Sequence, residues 1–471
     1  MAGFSPVASE DPMSALCRMV VSTSYLDLPG KVIEQAKRSI LDTLAVTIGG
    51  SAMEGIPAIV ELVKDKGGKP ESIIPFYGGK VPASEAALAI GPMSRAMDMG
   101  DIHDEALHCS EYILPALLAA TGLKHKVTGK ELITAFILGQ EVLIRIGTAY
   151  RAGSGASSAS RNSGHFIFGC VAAVGKLVGL SRDELEEAEG IASEMTQPHL
   201  RLMYSPATLM IRTHHGFICQ DAINACLLAR KGITGPRHGV LSAPAGYLGF
   251  ARWDTDPAAL TGGLGEKWEM NGLMMKHYPS VISTQAAIDA ILEQMKEHDL
   301  KAEDIARIEI YTVSRPVTNE ARQAMWHPRT VPECQFSLPY TVATAAYDGD
   351  VFLESYTPQA RARQNVRDLM SRISIKDDAS LPPRAARVHT TLKDGRKYSK
   401  EYLRARGHPL NPFTTPELVA KFRKCVRHSA YELNEAVVDA VLDDLLHLEE
   451  VDDVVGALLV PLTPGQAMPG V

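Results

Sequence analysis

The chain of 471 residues is poor in aromatics (6%), and its seven cysteines include no CxxC pair. Scattered thiols in an odd number exclude a disulfide frame and a zinc ribbon, and predict reduced cysteines. There is no basic excess: 48 Lys and Arg stand against 55 Asp and Glu, a formal charge of −7. A nucleic-acid binder or a protein held to an acidic membrane carries a basic stripe or a basic balance, so neither partner is expected. No uncharged apolar run approaches the ~18 residues of a membrane span; the longest are Tyr112 to Leu123 and Phe166 to Gly175. No GxxxxGK[ST] occurs, and Gly262-Gly263-Leu264-Gly265 neither follows a strand nor matches GxGxxG. Gly153-Ser-Gly-Ala-Ser-Ser158 lacks the strand–turn–helix context of a nucleophile elbow. The first apolar patch is broken by Arg18 and preceded by Glu10 and Asp11, which predicts a cytoplasmic protein without a secretory or mitochondrial leader.

What is present is an ordinary globular composition, 45% hydrophobic and 22% charged, with length for two or three domains. Val32, Ala36, Ile40, Leu44 and Ile48 recur every four residues and predict a buried helix ending at Gly49-Gly50. Similar patterns predict helices over 86–97, 113–123, 129–146, 166–178, 182–194 and 216–231. After Pro279 the texture changes. A helix over 284–296 precedes Ile305–Val313, where apolar and polar residues alternate as in a strand. Arg372–Lys376 reads as a short strand, and Asp394-Gly395 predicts a hairpin between 388–392 and 397–402. Helical spacing returns at 416–425 and 432–448. The expected fold is mainly α: a helical domain over 1–275, an α+β domain over 276–411, and helices over 412–471 returning to the first domain.

Asp98, Asp101, His103, Asp104 and His108 crowd ionisable groups beside apolar helices. Three readings are open: an acid/base pair with a substrate anchor, a metal cluster on the His103-Asp104 dipeptide, or a solvated loop with an Asp N-cap. A phosphohydrolase of the His-Asp type also needs an upstream histidine, and none precedes His103. The pair His214-His215 is no better as a metal site, because adjacent residues on a helix point in different directions. Lys276 before Tyr278-Pro279 reads as a snorkelling surface lysine or a cleft ammonium. Arg212 reads as a carboxylate-binding guanidinium or a loop cap.

Four stretches in order resemble one family. They are Ala96-Met-Asp98-Met-Gly-Asp101 with His108; Gly263-Leu-Gly-Glu-Lys-Trp268 leading to Lys276-His-Tyr-Pro279 and Ala287-Ile-Asp-Ala290; Phe336-Ser-Leu-Pro-Tyr340; and Gly407-His-Pro-Leu-Asn-Pro412 with Lys421-Phe422. Together they are similar to the MmgE/PrpD family, which includes 2-methylcitrate dehydratase, cis-aconitate decarboxylase and iminodisuccinate epimerase. The resemblance implies a large helical domain, an inserted α+β lid and a homodimer. It implies that Asp98, His108 and Lys276 are catalytic, and that Arg212 contacts a substrate carboxylate. Further candidates for substrate binding are Asp101, Ser163, His165, Tyr340 and Tyr150. Ser163 stands where decarboxylase-like relatives carry histidine; His165 either replaces that histidine or packs on Phe166. Ile102 stands where many relatives have threonine, and Gln285 where many have histidine, which implies a less basic cleft. The function implied is a lyase without cofactor or metal. It would be of dehydratase or decarboxylase type and act on a small di- or tricarboxylate through a carbanion or enolate-like intermediate. The alternatives are an epimerase or racemase and a member without activity.

Overall fold

A computed structural model describes residues 11–153, 164–196, 208–241, 246–250, 257–313 and 319–465. Nine helices of the first part are labelled α1 (Pro12–Ser22), α2 (Gly30–Gly50), α3 (Ile56–Lys66), α4 (Ala83–Ala96), α5 (Ser110–Ala120), α6 (Gly129–Gly153), α7 (Phe166–Val178), α8 (Arg182–Met195) and α9 (Met210–Arg230). Their local signals are the expected ones. Ser181 and Glu184 form a capping box that opens α8, and Gly179 in the left-handed region closes α7. These helices bury their apolar residues in one core, which also takes in Phe413, Phe422 and Leu442 from the end of the chain. α6 is long and apolar enough to cross a membrane, but 94% of that stretch is buried inside the protein.

A second core gathers residues from Tyr278 to Ala405 together with Ile102 and Met274. Here β3 (Ile305–Thr312) lies between β4 (Ile373–Asp377), parallel to it, and β5 (Ala386–Leu392), antiparallel; β6 (Lys397–Tyr402) pairs antiparallel with β5. Another small pair, β1 (Ser72–Ile73) and β2 (Lys80–Val81), sits in the helical part. Alternation buries Ile308, Ile310 and Val388 on one face of the larger sheet. The helix Gln285–Glu297 buries Ala286, Ala287, Ile288, Ala290 and Ile291 in the same core. The architecture is therefore mainly α with a small mixed region, in the order helical, mixed, helical.

Two details position the site. α4 and α9 approach so closely that a Cβ on Gly91 would lie 2.8 Å from the Gly216 nitrogen. This brings the C-terminal end of α4 beside His215. Ile102 and Met274 exchange backbone hydrogen bonds of 2.8 and 2.9 Å, which ties the segment after Asp98 to the segment before Lys276. Residues 98–108 thus run along the seam between the two cores.

α9 begins at Met210, six residues before the expected start, so Arg212, His214 and His215 all lie on it. The expected helix starts only at Gly216 because Arg212, Thr213, His214 and His215 interrupt the apolar spacing. The imidazoles are instead buried against Tyr112, whose ring stacks on His215 at 3.9 Å and whose hydroxyl lies 2.8 Å from His214 Nε2.

Candidate active site

Asp98 follows α4 with φ 51°, a left-handed conformation that Asp tolerates better than most residues. The bend turns its carboxylate into the protein. Lys276 Nζ donates to Asp98 Oδ1 at 2.7 Å and to the Asp98 carbonyl at 2.6 Å. Arg95, from the last turn of α4, donates to the same Oδ1. Asp98 Oδ2 is buried without a hydrogen-bond partner among the described residues. Burial raises the Asp98 pKa, but Arg95 and Lys276 outweigh it and hold the carboxylate below its usual range. Burial lowers the Lys276 pKa against the opposing pull of Asp98 and Glu111.

Glu111 sits in the first turn of α5, fully buried. Its Oε1 accepts the Gly100 N–H at 3.2 Å. Its Oε2 lies 3.0 Å from His108 Nδ1, 3.6 Å from His215 Nε2 and 3.8 Å from Arg95 Nε. Burial opposes its charge, but His108 and Arg95 prevail and push its pKa well below the usual value. Both imidazoles have lowered pKa values: burial and then Arg95 act on His108, and burial takes His215 to about 3. The result is two carboxylates matched by two cations, with two neutral imidazoles between them. The His108 side chain keeps 21% of its surface exposed, while the Lys276 side chain has 1% and that of Glu111 none.

The surroundings hold this cluster in place. Asp101 caps α5, accepting from the Ser110 N–H at 3.0 Å and from the Ser110 hydroxyl, which itself accepts from Gln140 at 2.7 Å. Burial takes its pKa to about 7 despite those bonds. Lys421, from the C-terminal helix Thr415–Val426, donates to the carbonyls of Lys276 at 2.7 Å and Met99 at 3.1 Å, and pairs with buried Asp42 at 2.6 Å. Gln335 donates to the Met97 carbonyl at 2.8 Å.

The structure brings together Asp98, His108 and Lys276, with Asp101 behind them. Arg212 is buried near them: its Nη1 donates to the Glu54 carbonyl at 2.8 Å, while Nη2 has no hydrogen-bond partner among the described residues. Burial brings its pKa down to about 10, and Asp98 is close enough to act on it. His165 packs on Phe166 and places Nε2 3.1 Å from the Ala106 carbonyl, behind the loop that leads to His108. Tyr150 is buried between His165 and Tyr247. Tyr340 directs its hydroxyl to the Ser355 carbonyl inside the second core, so that group is committed to backbone and not presented to the Asp98 cluster. Ser163 lies outside the described residues.

His103 and Asp104 have structural partners. His103 Nδ1 accepts the N–H groups of Glu105 and Ala106, and Asp104 pairs with Arg384 at the surface. Among the described residues no group of three or more His, Cys, Asp or Glu side chains is placed to hold a metal ion. Gln285 shapes the turn before its helix, accepting from the N–H groups of His277 and Tyr278 and donating to the Tyr278 and Ser280 carbonyls. Sequence reasoning missed Arg95 and Glu111. In the structure they are a basic residue in the last turn of α4 and an acidic one in the first turn of α5. The signal available was their spacing from Asp98 and His108, three residues in each case.

Comparison with known proteins now adds to this geometry. The MmgE/PrpD N-terminal domain model matches residues 14–258, and the MmgE/PrpD C-terminal domain model matches residues 278–444. A cis-aconitate decarboxylase-like protein oryM of Aspergillus oryzae is 26% identical over 87% of this chain and 89% of its own. Human cis-aconitate decarboxylase is 26% identical over 94% of this chain and 92% of its own, and that of Aspergillus terreus is 24% identical over 94% of each. Two consecutive domain matches that span most of the sequence make the chain a member of the MmgE/PrpD family.

Proposed function

We propose that this protein is a lyase that acts on a small carboxylate through a carbanion or enolate-like intermediate. One observation carries the reading. A partly exposed neutral imidazole, His108, stands against a buried array of Lys276, Arg95, Asp98 and Glu111 drawn from three separate segments. Neutral imidazole is the form that accepts a proton. Removing a proton beside a carboxylate pushes negative charge onto that carboxylate, and fixed cations lower the cost of it. Lys276 and Arg95 are already matched by carboxylates, so the guanidinium of Arg212, whose Nη2 has no partner among the described residues, is the anchor that suits a substrate carboxylate.

Elimination of water is the reaction this arrangement runs most directly. His108 takes the proton from carbon, the electron pair left there forms the carbon–carbon double bond as the C–O bond breaks, and the hydroxyl leaves as water with the proton that His108 hands on. Loss of carbon dioxide reaches a similar carbanion by breaking a carbon–carbon bond instead, with no proton removed; the electron pair stays on carbon, the Lys276 ammonium supplies its proton, and the amine regains one from water. The decarboxylases among the relatives support this second outcome of the same site. The reading requires no cofactor.

Proton NMR in deuterium oxide with a panel of small carboxylates, including cis-aconitate, tests the proposal. Loss of water, abolished in His108→Gln, or loss of carbon dioxide, abolished in Lys276→Met, is the expected result. Exchange of the α-proton without net turnover would replace lyase by epimerase, and no reaction with any compound would overturn the reading.

A further inference from the structure

An imidazole serves as a base only through the nitrogen that lacks a hydrogen, so its tautomer matters as much as its pKa. We propose that Glu111 is a positioning residue that fixes the tautomer of His108, keeping the hydrogen on Nδ1 and leaving Nε2 bare toward the substrate. This rests on the acid/base reading of His108 above.

The geometry argues for it from both sides of the contact. Ionised Glu111 is an acceptor only, and its Oε2 is 3.0 Å from His108 Nδ1. A bare Nδ1 there would set lone pair against lone pair, so the hydrogen belongs on Nδ1. The contact has the length of a hydrogen bond but not its angle in this structure. Catalytic hydrogen bonds are often poorly aligned without substrate and tighten when it binds. The carboxylate is not free to turn away. Its Oε1 is held by the Gly100 N–H, and Gly100 has room for no side chain, since a Cβ there would overlap Glu111. The charged and titratable groups facing His108 are Arg95 from α4, Glu111 from α5, His215 from α9, and Lys276 with Asp98 at the seam. Of these, Glu111 is the acceptor at hydrogen-bonding distance of its ring. When Nε2 takes a proton from carbon, the new imidazolium is already paired with a carboxylate. In dehydration the same proton then goes to the departing hydroxyl, which leaves as water.

Glu111→Gln keeps the shape and reverses the donor. The amide oxygen stays with the Gly100 N–H, so the NH2 group faces His108 and donates to Nδ1, which drives the hydrogen to Nε2. Nitrogen-15 NMR of histidine-labelled protein reads the tautomer, and loss of one ring signal in His108→Gln assigns it. The expected result is an Nδ1–H tautomer in the unsubstituted protein, an Nε2–H tautomer in Glu111→Gln, and a fall in kcat on the order of 10³-fold with KM little changed. Glu111→Asp, which keeps the charge, should restore part of the rate. An unchanged tautomer in Glu111→Gln overturns the inference whatever the activity. A switched tautomer with full turnover also overturns it, while leaving the lyase reading intact. If the unsubstituted protein turns over nothing, the lyase reading fails and the tautomer measurement still decides the role of Glu111. Circular dichroism and the Gly100→Ala variant, which displaces the same carboxylate, separate a positioning effect from misfolding.

Discussion

Asp98 does two jobs that pull against each other. Its backbone sits in a region that costs a non-glycine residue energy, and its carboxylate is the counter-charge for two buried cations. Breaking one member of a buried charge set leaves the others uncompensated, which costs about 3–5 kcal/mol. Asp98→Asn should therefore lower the urea-unfolding free energy by about 3 kcal/mol. Adding Lys276→Met should recover at least ~1 kcal/mol, because the stranded ammonium goes with it. Additive effects in that double-mutant cycle would contradict the coupling. His215 gives a second test. Its pKa is near 6.5 when unfolded and about 3 when buried. Between those values the unfolded chain binds a proton that the native one does not, so stability is full above about pH 6.5 and falls below it by up to ~1.4 kcal/mol per pH unit. Burial raises the pKa values of Asp101 and Glu141 to about 7, so both work in the opposite sense over that range. The comparison to make is therefore between proteins: the Tm difference between pH 7.5 and 5 should shift in favour of the acidic condition in His215→Phe.

At the scale of elements, the contact of α4 with α9 depends on two glycines. A Cβ on Gly91 meets backbone of α9, which has no rotamer to yield, so Gly91→Ala should cost about 2 kcal/mol in a denaturant midpoint experiment. Gly30→Ala, where a Cβ meets nothing within 4 Å, should change stability by less than ~0.5 kcal/mol. Most elements were legible in the sequence because periodicity and caps agreed. The helix at 166–178 has its expected bounds, and the Asp394-Gly395 turn joins β5 and β6 as expected. The start of α9 was not legible, because buried histidines in an aromatic stack carry the polarity of a loop. Asp98, His108 and Lys276 stood out through motifs. Glu111 did not, because one acid opening an apolar helix looks like a response to the helix dipole until the fold places imidazoles beside it. The Tyr340 hydroxyl illustrates the reverse case: a motif position whose polar group is taken by a backbone carbonyl that only packing reveals.

For the whole molecule, we propose a domain plan divided at 275/276 and 411/412, with the mixed part as the lid; the second core, drawn mainly from Tyr278 to Ala405, supports it. The homodimer implied by the family resemblance is likewise a proposal. Light scattering should return twice the 50.9 kDa of one chain, and a monomeric mass would remove it. Lys421 is the tie across this plan, since one ammonium meets carbonyls from both sides of the seam and the carboxylate of α2. Its replacement by methionine should cost about 3 kcal/mol in urea unfolding and lower turnover as well, because Asp42 is left unpaired and the Lys276 backbone loses its anchor.

That tie also sets an order of events during biosynthesis. The residues that would do the chemistry, at positions 95 to 276, leave the ribosome before the strap that fixes their backbone, which arrives only with residue 421. A nascent or truncated chain that ends before this lysine can fold its first helices and still lack a rigid catalytic centre. Competence therefore waits until residue 421 has emerged and paired.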